Sequence, residues 1–303
     1  MRKVIMVLAV LALGMVSCVK DIEFEGEQSD PMLVVNGVQQ VGQPARLCIE
    51  KSVFFQDNQT DCRVQGLQVD LYVDGSFKES LQVRDSMALD YKFNFCEGQY
   101  VLCEGDLLRF EVRSSEFETA IAEVTLPEPP LVISFDTVGI DYEFGSVRLA
   151  VTIDDPIGAD YYNLAFYNPM EAQYSFYSDD PVFLDPMDLD PEALTGQSSD
   201  YYGVGIYNVF TDYFFSGRTY TVNFSFYFWG EEITEPLAVE VSRVDEHLYQ
   251  YKKTFDAYQD SDPNSLLSMF TEPVQVYSNV ENAVGVVCGQ SRSVTKSIDL
   301  TNK

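Results

Sequence analysis

The sequence predicts a mainly β protein: an antiparallel β-sandwich followed by a larger antiparallel β domain covered by one helix. Three observations predict it. Short runs alternate apolar and polar residues with period two, as in Val69-Asp70-Leu71-Tyr72-Val73, and only a strand places every second side chain on one face. Turn residues punctuate these runs at short intervals, Asp74-Gly75 most clearly, because both central residues of a tight hairpin need φ > 0. Helical spacing of apolar residues is sustained in one stretch only, 243–259.

Taken in order, residues 1–17 read as a leader. Arg2 and Lys3 precede a run from Val4 to Val16 that is apolar or glycine, the charge-then-apolar pattern of a secretory signal. The run is shorter than the ~20 residues that cross ~30 Å of hydrocarbon. Met15-Val16-Ser17-Cys18 resembles a lipobox, which predicts cleavage before Cys18 and acylation of its thiol. Each buried CH₂ contributes ~0.8 kcal/mol, so two or three palmitate-length chains hold a protein on a membrane where one holds it marginally. Residues 18–30 then read as an acidic tether.

Beyond the leader 286 of 303 residues remain, more than one hydrophobic core usually organises. Loss of Arg2 and Lys3 takes the formal charge from −29 to −31. A body this acidic repels nucleic acid and anionic lipid headgroups, stays soluble, and attracts cations or basic partners. Five cysteines follow Cys18: Cys48, Cys62, Cys96, Cys103 and Cys288. An odd number leaves at least one free thiol, and Cys96 and Cys103 flank a segment short enough for hairpin pairing. No Cys/His spacing matches a zinc site.

Residues 31–127 read as the first sandwich, of immunoglobulin-like type. Met32–Val38 is a β-rich run closed by Asn36-Gly37; Arg46–Val53, Leu108–Arg113 and Thr119–Leu126 are further strands. Pro127-Glu128-Pro129-Pro130 interrupts the pattern, since proline lacks the donor that a ladder requires, and marks a domain boundary. Residues 131–303 form the second domain. There Val147, Leu149, Val151 and Ile153 share one strand face, and Tyr220–Trp229 puts Tyr220, Val222, Phe224, Phe226 and Phe228 inward. Residues 178–203 read as an acidic loop. Ser242-Arg243-Val244-Asp245 has the form of a capping box, followed by the stripe Val244, Leu248, Tyr251, Phe255 and Tyr258, which predicts a helix that covers the sheet.

Three blocks of the second half carry a resemblance: Asp154–Leu164, Gly217–Val222 and Glu272–Gly285. With the Cys18 leader and Pro31–Gly37, they resemble the Bacteroidetes lipoproteins grouped as "domain of unknown function 4249". The most specific block is the last, with Glu272, Pro273, Tyr277, Ser278 and Asn279; the family usually has glycine where Ala283 stands and a phenylalanine near Val287. The resemblance implies an outer-membrane lipoprotein, often encoded beside a TonB-dependent receptor, and implies no reaction. The acids after Cys18 are similar to surface-export signals of that phylum, and Asp85-Ser86-Met87 and Asp136-Thr137-Val138 are similar to its O-glycosylation tripeptides, with Ser86 and Thr137 as acceptors.

Catalytic motifs are absent from the sequence. His247 is the one histidine; it falls off the apolar stripe of its helix and reads as solvated. There is no nucleophile elbow, zincin helix or phosphate loop, and with 48 acidic residues some carboxylate pair is inevitable. Asp185, Asp188, Asp190 and Glu192 offer hard oxygens for calcium, but their spacing fits no EF-hand. Aromatic residues crowd positions 161–215, fit either to fill a core or to contact sugars and proteins. Taken with what the resemblance implies, the expectation is a non-enzymatic, cofactor-free accessory lipoprotein of the outer membrane, at the cell surface or facing the periplasm, serving a TonB-dependent transporter. A carboxylate hydrolase and a structural or adhesive envelope protein are the rival classes. Cys18→Ala is expected to leave a soluble or unprocessed chain; membrane fractionation that still finds the variant bound would contradict the anchor.

Overall fold

The computed structural model describes residues 30–54, 59–141, 146–167, 176–178, 180–183, 209–227, 237–260, 274–293 and 296–298. The expected class is observed: β-sheets stacked as sandwiches, with a single α-helix among the described residues. Strands are numbered in chain order. The first half supplies β1 (Leu33–Gln40), β2 (Pro44–Lys51), β3 (Gln68–Val73), β4 (Ser76–Ser80), β5 (Gln82–Ala88), β6 (Tyr91–Val101), β7 (Leu107–Arg113) and β8 (Ala120–Thr125). The second supplies β9 (Leu131–Asp141), β10 (Ser146–Asp154), β11 (Tyr161–Tyr167), β12 (Phe176–Tyr177), β13 (Val209–Thr211), β14 (Thr219–Tyr227) and β15 (Leu237–Val244). Helix α1 (Glu246–Asp260), β16 (Val287–Arg292) and β17 (Lys296–Ile298) follow.

One long sheet runs through both halves, in the order β13-β11-β15-β16-β1-β2-β6-β5, with β17 beside β15. A sheet of order β4-β3-β7-β8 packs on one end of it. Their shared core holds Leu33, Val35, Leu47, Ile49 and Cys96 from the long sheet, and Val69, Leu71, Leu108, Phe110 and Val112 from the short one. A third sheet, β12-β14-β10-β9, packs on the other end, where Val147, Leu149, Val151 and Ile153 meet Tyr162, Leu164, Val239 and Val241. The proline segment lies between β8 and β9, which belong to different sheets, yet other strands from before and after it share the long sheet, and Pro31–Lys303 is one compact unit. The alternation that marks β3 and β10 in the sequence is thus a record of which face each side chain buries.

The join is made by β1. Leu33–Asn36 pair antiparallel with Lys51–Cys48 of β2, and Gly37–Gln40 pair parallel with Val287–Gln290 of β16. Asn36-Gly37, expected to end the strand, lies within it. A Cβ on Gly37 would sit 2.5 Å from the Arg46 carbonyl oxygen, so glycine serves close backbone approach here rather than a turn. Buried Gln39 takes over where β1 and β2 diverge: its amide donates to the Arg46 carbonyl at 2.8 Å and accepts from the Arg46 N–H at 3.2 Å, which replaces a ladder pair. By contrast Asp74-Gly75 is the hairpin turn expected, with φ of 51° and 76° between the paired residues Val73 and Ser76.

Helix α1 lies on the opposite face of the long sheet. Leu248 and, partly, Tyr251 pack on Val286 and Cys288, while Val287 points into the first core. The helix begins later than its sequence signal suggests. Ser242 belongs to β15, and the N-cap is Asp245, whose Oδ1 accepts the Leu248 N–H at 2.9 Å. Pairing of Ser242–Val244 with Arg292–Gln290 holds these residues extended against their local capping preference. None of the described helices is long and apolar enough to cross a membrane. All five described cysteines are free thiols, Cys96 and Cys103 included.

Gly285 has φ of 120°, and a Cβ there would stand 2.2 Å from the Val35 carbonyl oxygen. Gly285→Ala is therefore expected to destabilise the fold by roughly 3 kcal/mol or more, from backbone strain plus a clash that backbone cannot relieve. Urea denaturation checks this; an unchanged midpoint would contradict the close approach.

Candidate functional site

Two constellations gather the residues that the sequence singled out. The first is a clasp at 274–293. Asn279 bonds its own chain eight residues on: its Nδ2 donates to the Val287 carbonyl at 2.8 Å and its Oδ1 accepts the Val287 N–H at 3.0 Å. Val284 N–H donates to Leu33 O, and Val35 N–H donates to Val284 O, each at 2.9 Å, while Asn36 Oδ1 receives the Val286 N–H at 3.0 Å. Glu281 exchanges backbone bonds with Ile121 of β8. Tyr277 then ties the clasp to α1: its N–H donates to Thr254 Oγ1 at 2.9 Å, and its hydroxyl lies 2.8 Å from His247 Nδ1 with the rings stacked.

Of the motif residues, then, Tyr277 and Asn279 are structural fasteners and Ser278 is exposed; Glu272 and Pro273 lie outside the described residues. His247 is not the solvated residue expected. It is half-buried, and burial lowers its pKa, which favours the neutral ring that bonds Tyr277. The sequence missed this because Tyr277 is 30 residues away along the chain.

The second constellation joins the other two blocks. Asp155 follows β10, Asp160 precedes β11, and Asp212 follows β13. Each is buried, with 5 %, 8 % and 5 % of its surface exposed, and each offers a carboxylate oxygen within 4.8 Å of the other two. Asp155 Oδ1 accepts the Tyr162 hydroxyl, and Asp155 Oδ2 accepts the Gly217 N–H at 3.0 Å. Gly217 has φ of 71° and no room for a Cβ against Ile157. Asp212 Oδ1 accepts the Asp160 N–H at 3.1 Å. Arg243, from β15, donates through Nε at 2.8 Å and through its terminal nitrogen to Asp160 Oδ1, with Glu128 at 3.9 Å on its outer side. Burial raises the Asp155 carboxyl, against the Tyr162 and Gly217 bonds that lower it; burial also raises Tyr162, whose bond to Asp155 adds to the effect.

Around the knot lies an aromatic core. Tyr162, Phe210 and Phe215 are almost fully buried, with Phe183 edge-on to Phe210 at 5.1 Å. These residues fill the second sandwich, whereas Tyr213 is 68 % exposed. Part of the stretch read as an acidic loop is likewise structural: Pro181–Phe183 is a short 3-10 turn, and buried Asp180 accepts the Tyr220 hydroxyl at 2.8 Å and the Asn223 N–H at 3.0 Å. The calcium candidates Asp185, Asp188, Asp190 and Glu192, and the lipid site Cys18, lie outside the described residues. Of the glycosylation candidates, Thr137 is exposed on β9 and Ser86 is half-buried on β5.

Fold and constellations define a class: a β protein whose two sandwiches share one sheet, closed by a C-terminal clasp. The family model "Domain of unknown function (DUF4249)" matches residues 19–296, and the chain belongs to that family. A search of curated proteins finds no match. Among solved structures, the titin Ig tandem domains A164-A165 are similar at 9 % identity over 72 % of this chain and 92 % of that one, with a TM-score of 0.18, too low to carry an argument.

At the helix start, burial raises the Asp245 carboxyl from 3.8 to about 7, against the Leu248 N–H bond that lowers it. The folded chain therefore holds a proton that the unfolded chain has released. The stability this contributes is complete below about pH 4 and is lost as pH rises toward 7. Asp245→Asn keeps a capping oxygen and removes the titration. Relative to the variant, the native chain is expected to lose on the order of 2 kcal/mol between pH 4 and 7; urea midpoints with parallel pH profiles would contradict this.

Proposed function

We propose that this chain is a non-catalytic, lipid-anchored accessory protein of the outer membrane, held by Cys18 and seated against a TonB-dependent transporter. The observation that carries the reading is where its exposed apolar side chains stand. Strand β9 is a sheet edge and presents Leu131, Ile133 and Val138, each more than half exposed. The β5–β6 hairpin, at the end of the long sheet, presents Met87, Tyr91 and the almost wholly exposed Leu89. An uncovered apolar edge is an aggregation hazard unless a partner uses it, and on a chain of formal charge −29 it stands out from its surroundings. The acyl anchor fixes such edges at the envelope and concentrates them beside a membrane-embedded barrel. The histidine is engaged by Tyr277 and the three clustered aspartates are closed from solvent, which favours recognition over hydrolysis.

The full-length chain, tagged at its C-terminus and extracted in mild detergent, is expected to co-purify a transporter barrel. Leu89→Asp and Ile133→Asp are expected to weaken capture at least about tenfold without change in the circular dichroism spectrum, as loss of apolar interface anchors does. A partnerless monomer that turns over a glycoside or peptide would overturn the reading.

A further inference from the structure

We propose that Asp155, Asp160 and Asp212 bind a single Ca²⁺ ion that staples the two layers of the second sandwich together. Calcium holds oxygen ligands at ~2.3–2.6 Å, so two ligands of one ion stand at most about 5 Å apart. The mutual separation of 4.8 Å or less among the three carboxylates falls within that limit. Three buried carboxylates at this range repel one another and are normally found paired, protonated or on a metal.

The hydrogen bonds leave a defined vacancy of donors. Both Asp155 oxygens, Asp160 Oδ1 and Asp212 Oδ1 have protein donors. Asp160 Oδ2 and Asp212 Oδ2 are buried and, among the described residues, have none. These two oxygens belong to side chains at least nine-tenths buried, where an unmatched polar atom is costly. A cation supplies what they lack, and Asp155 still has lone pairs to offer beyond its two bonds.

Charge points to a divalent ion. With all three acids ionised the cluster carries three negative charges, and Arg243 offsets one. The donor set is carboxylate only, without histidine or cysteine, which selects hard cations over zinc or copper. Calcium fits better than magnesium: it accepts irregular geometry and a site where some oxygens are already committed, whereas magnesium demands a near-ideal octahedron and keeps several waters. The placement gives the ion a mechanical role. Asp155 leaves β10 of the third sheet, while Asp160 and Asp212 border β11 and β13 of the long sheet.

The test uses the full-length chain, stripped with EDTA, and added CaCl₂. One ion per chain is expected by equilibrium dialysis, with a rise in melting temperature of about 5 °C or more at saturating calcium. Tb³⁺, a luminescent calcium substitute, is expected to show emission sensitised by the tyrosine ring of Tyr162, and excess Ca²⁺ to quench it. Asp212→Asn is expected to lose the calcium shift and the emission and to weaken binding at least tenfold; Asp155→Asn serves as a second variant should the first not fold. A stripped native chain with no calcium shift and no stoichiometric uptake overturns the proposal, and so does a shift that survives undiminished in a folded variant, because it would come from the other surface acids. An EDTA-stripped Asp245→Asn chain, which lacks the acid-linked stability of the helix cap, that is still stabilised by acid and not by calcium assigns the orphan oxygens a shared proton instead, and also overturns the proposal.

Discussion

The constraint on which the fold depends is the double pairing of β1. Half of it answers β2 and half answers β16, and the second partner arrives about 250 residues later. Without that return β1 would end the first sandwich as an uncovered edge, and Val287 would be missing from its core. With it, one sheet becomes a leaf of both sandwiches. The cost is entropic: contacts so distant along the chain close a long loop before they are rewarded. The clasp offsets this by making many bonds at once, from Asn279 to Val287, from Val284 to Leu33 and Val35, and from Glu281 to Ile121.

Helix α1 belongs to the same economy. It covers the face of β16 that the first core does not use, and the bonds of two residues hold it there. Tyr277 reaches His247 and Thr254, and Lys252 donates to Asn163 Oδ1 on β11 at 2.9 Å. Burial lowers the Lys252 pKa, because the charged amine gives up solvent to sit against the sheet. At the start of the same strand the tension appears with opposite sign, in three carboxylates brought together where one guanidinium stands. Both are places where backbone closure, rather than solvent preference, decides where a charge is put.

Strands were legible where one face is buried and a turn residue marks the end. β3 with Asp74-Gly75, β7, β8, β10 and β14 satisfy both conditions. The hairpin between β5 and β6 satisfies neither: its two turn residues are Leu89 and Asp90, at φ of 47° and 74°, and leucine rarely takes that conformation. β9 hides for another reason, since an edge strand with exposed Leu131 and Ile133 carries no apolar-inside pattern to read. Asp155 and Asp160 were visible as part of a block with glycine and proline between them, but nothing in spacing could add Asp212, 52 residues on. The capping signal at Ser242 was genuine as local chemistry and lost to strand pairing.

By itself the sequence determined the β class, the acidic composition and the covering helix, because alternation, charge and helical spacing are local properties that each segment states alone. Only the tertiary structure decided that the halves share a sheet, that the histidine serves a tyrosine, and that three aspartates face one another. Those outcomes depend on which distant backbones meet, and a single chain records its partners' chemistry without recording their addresses.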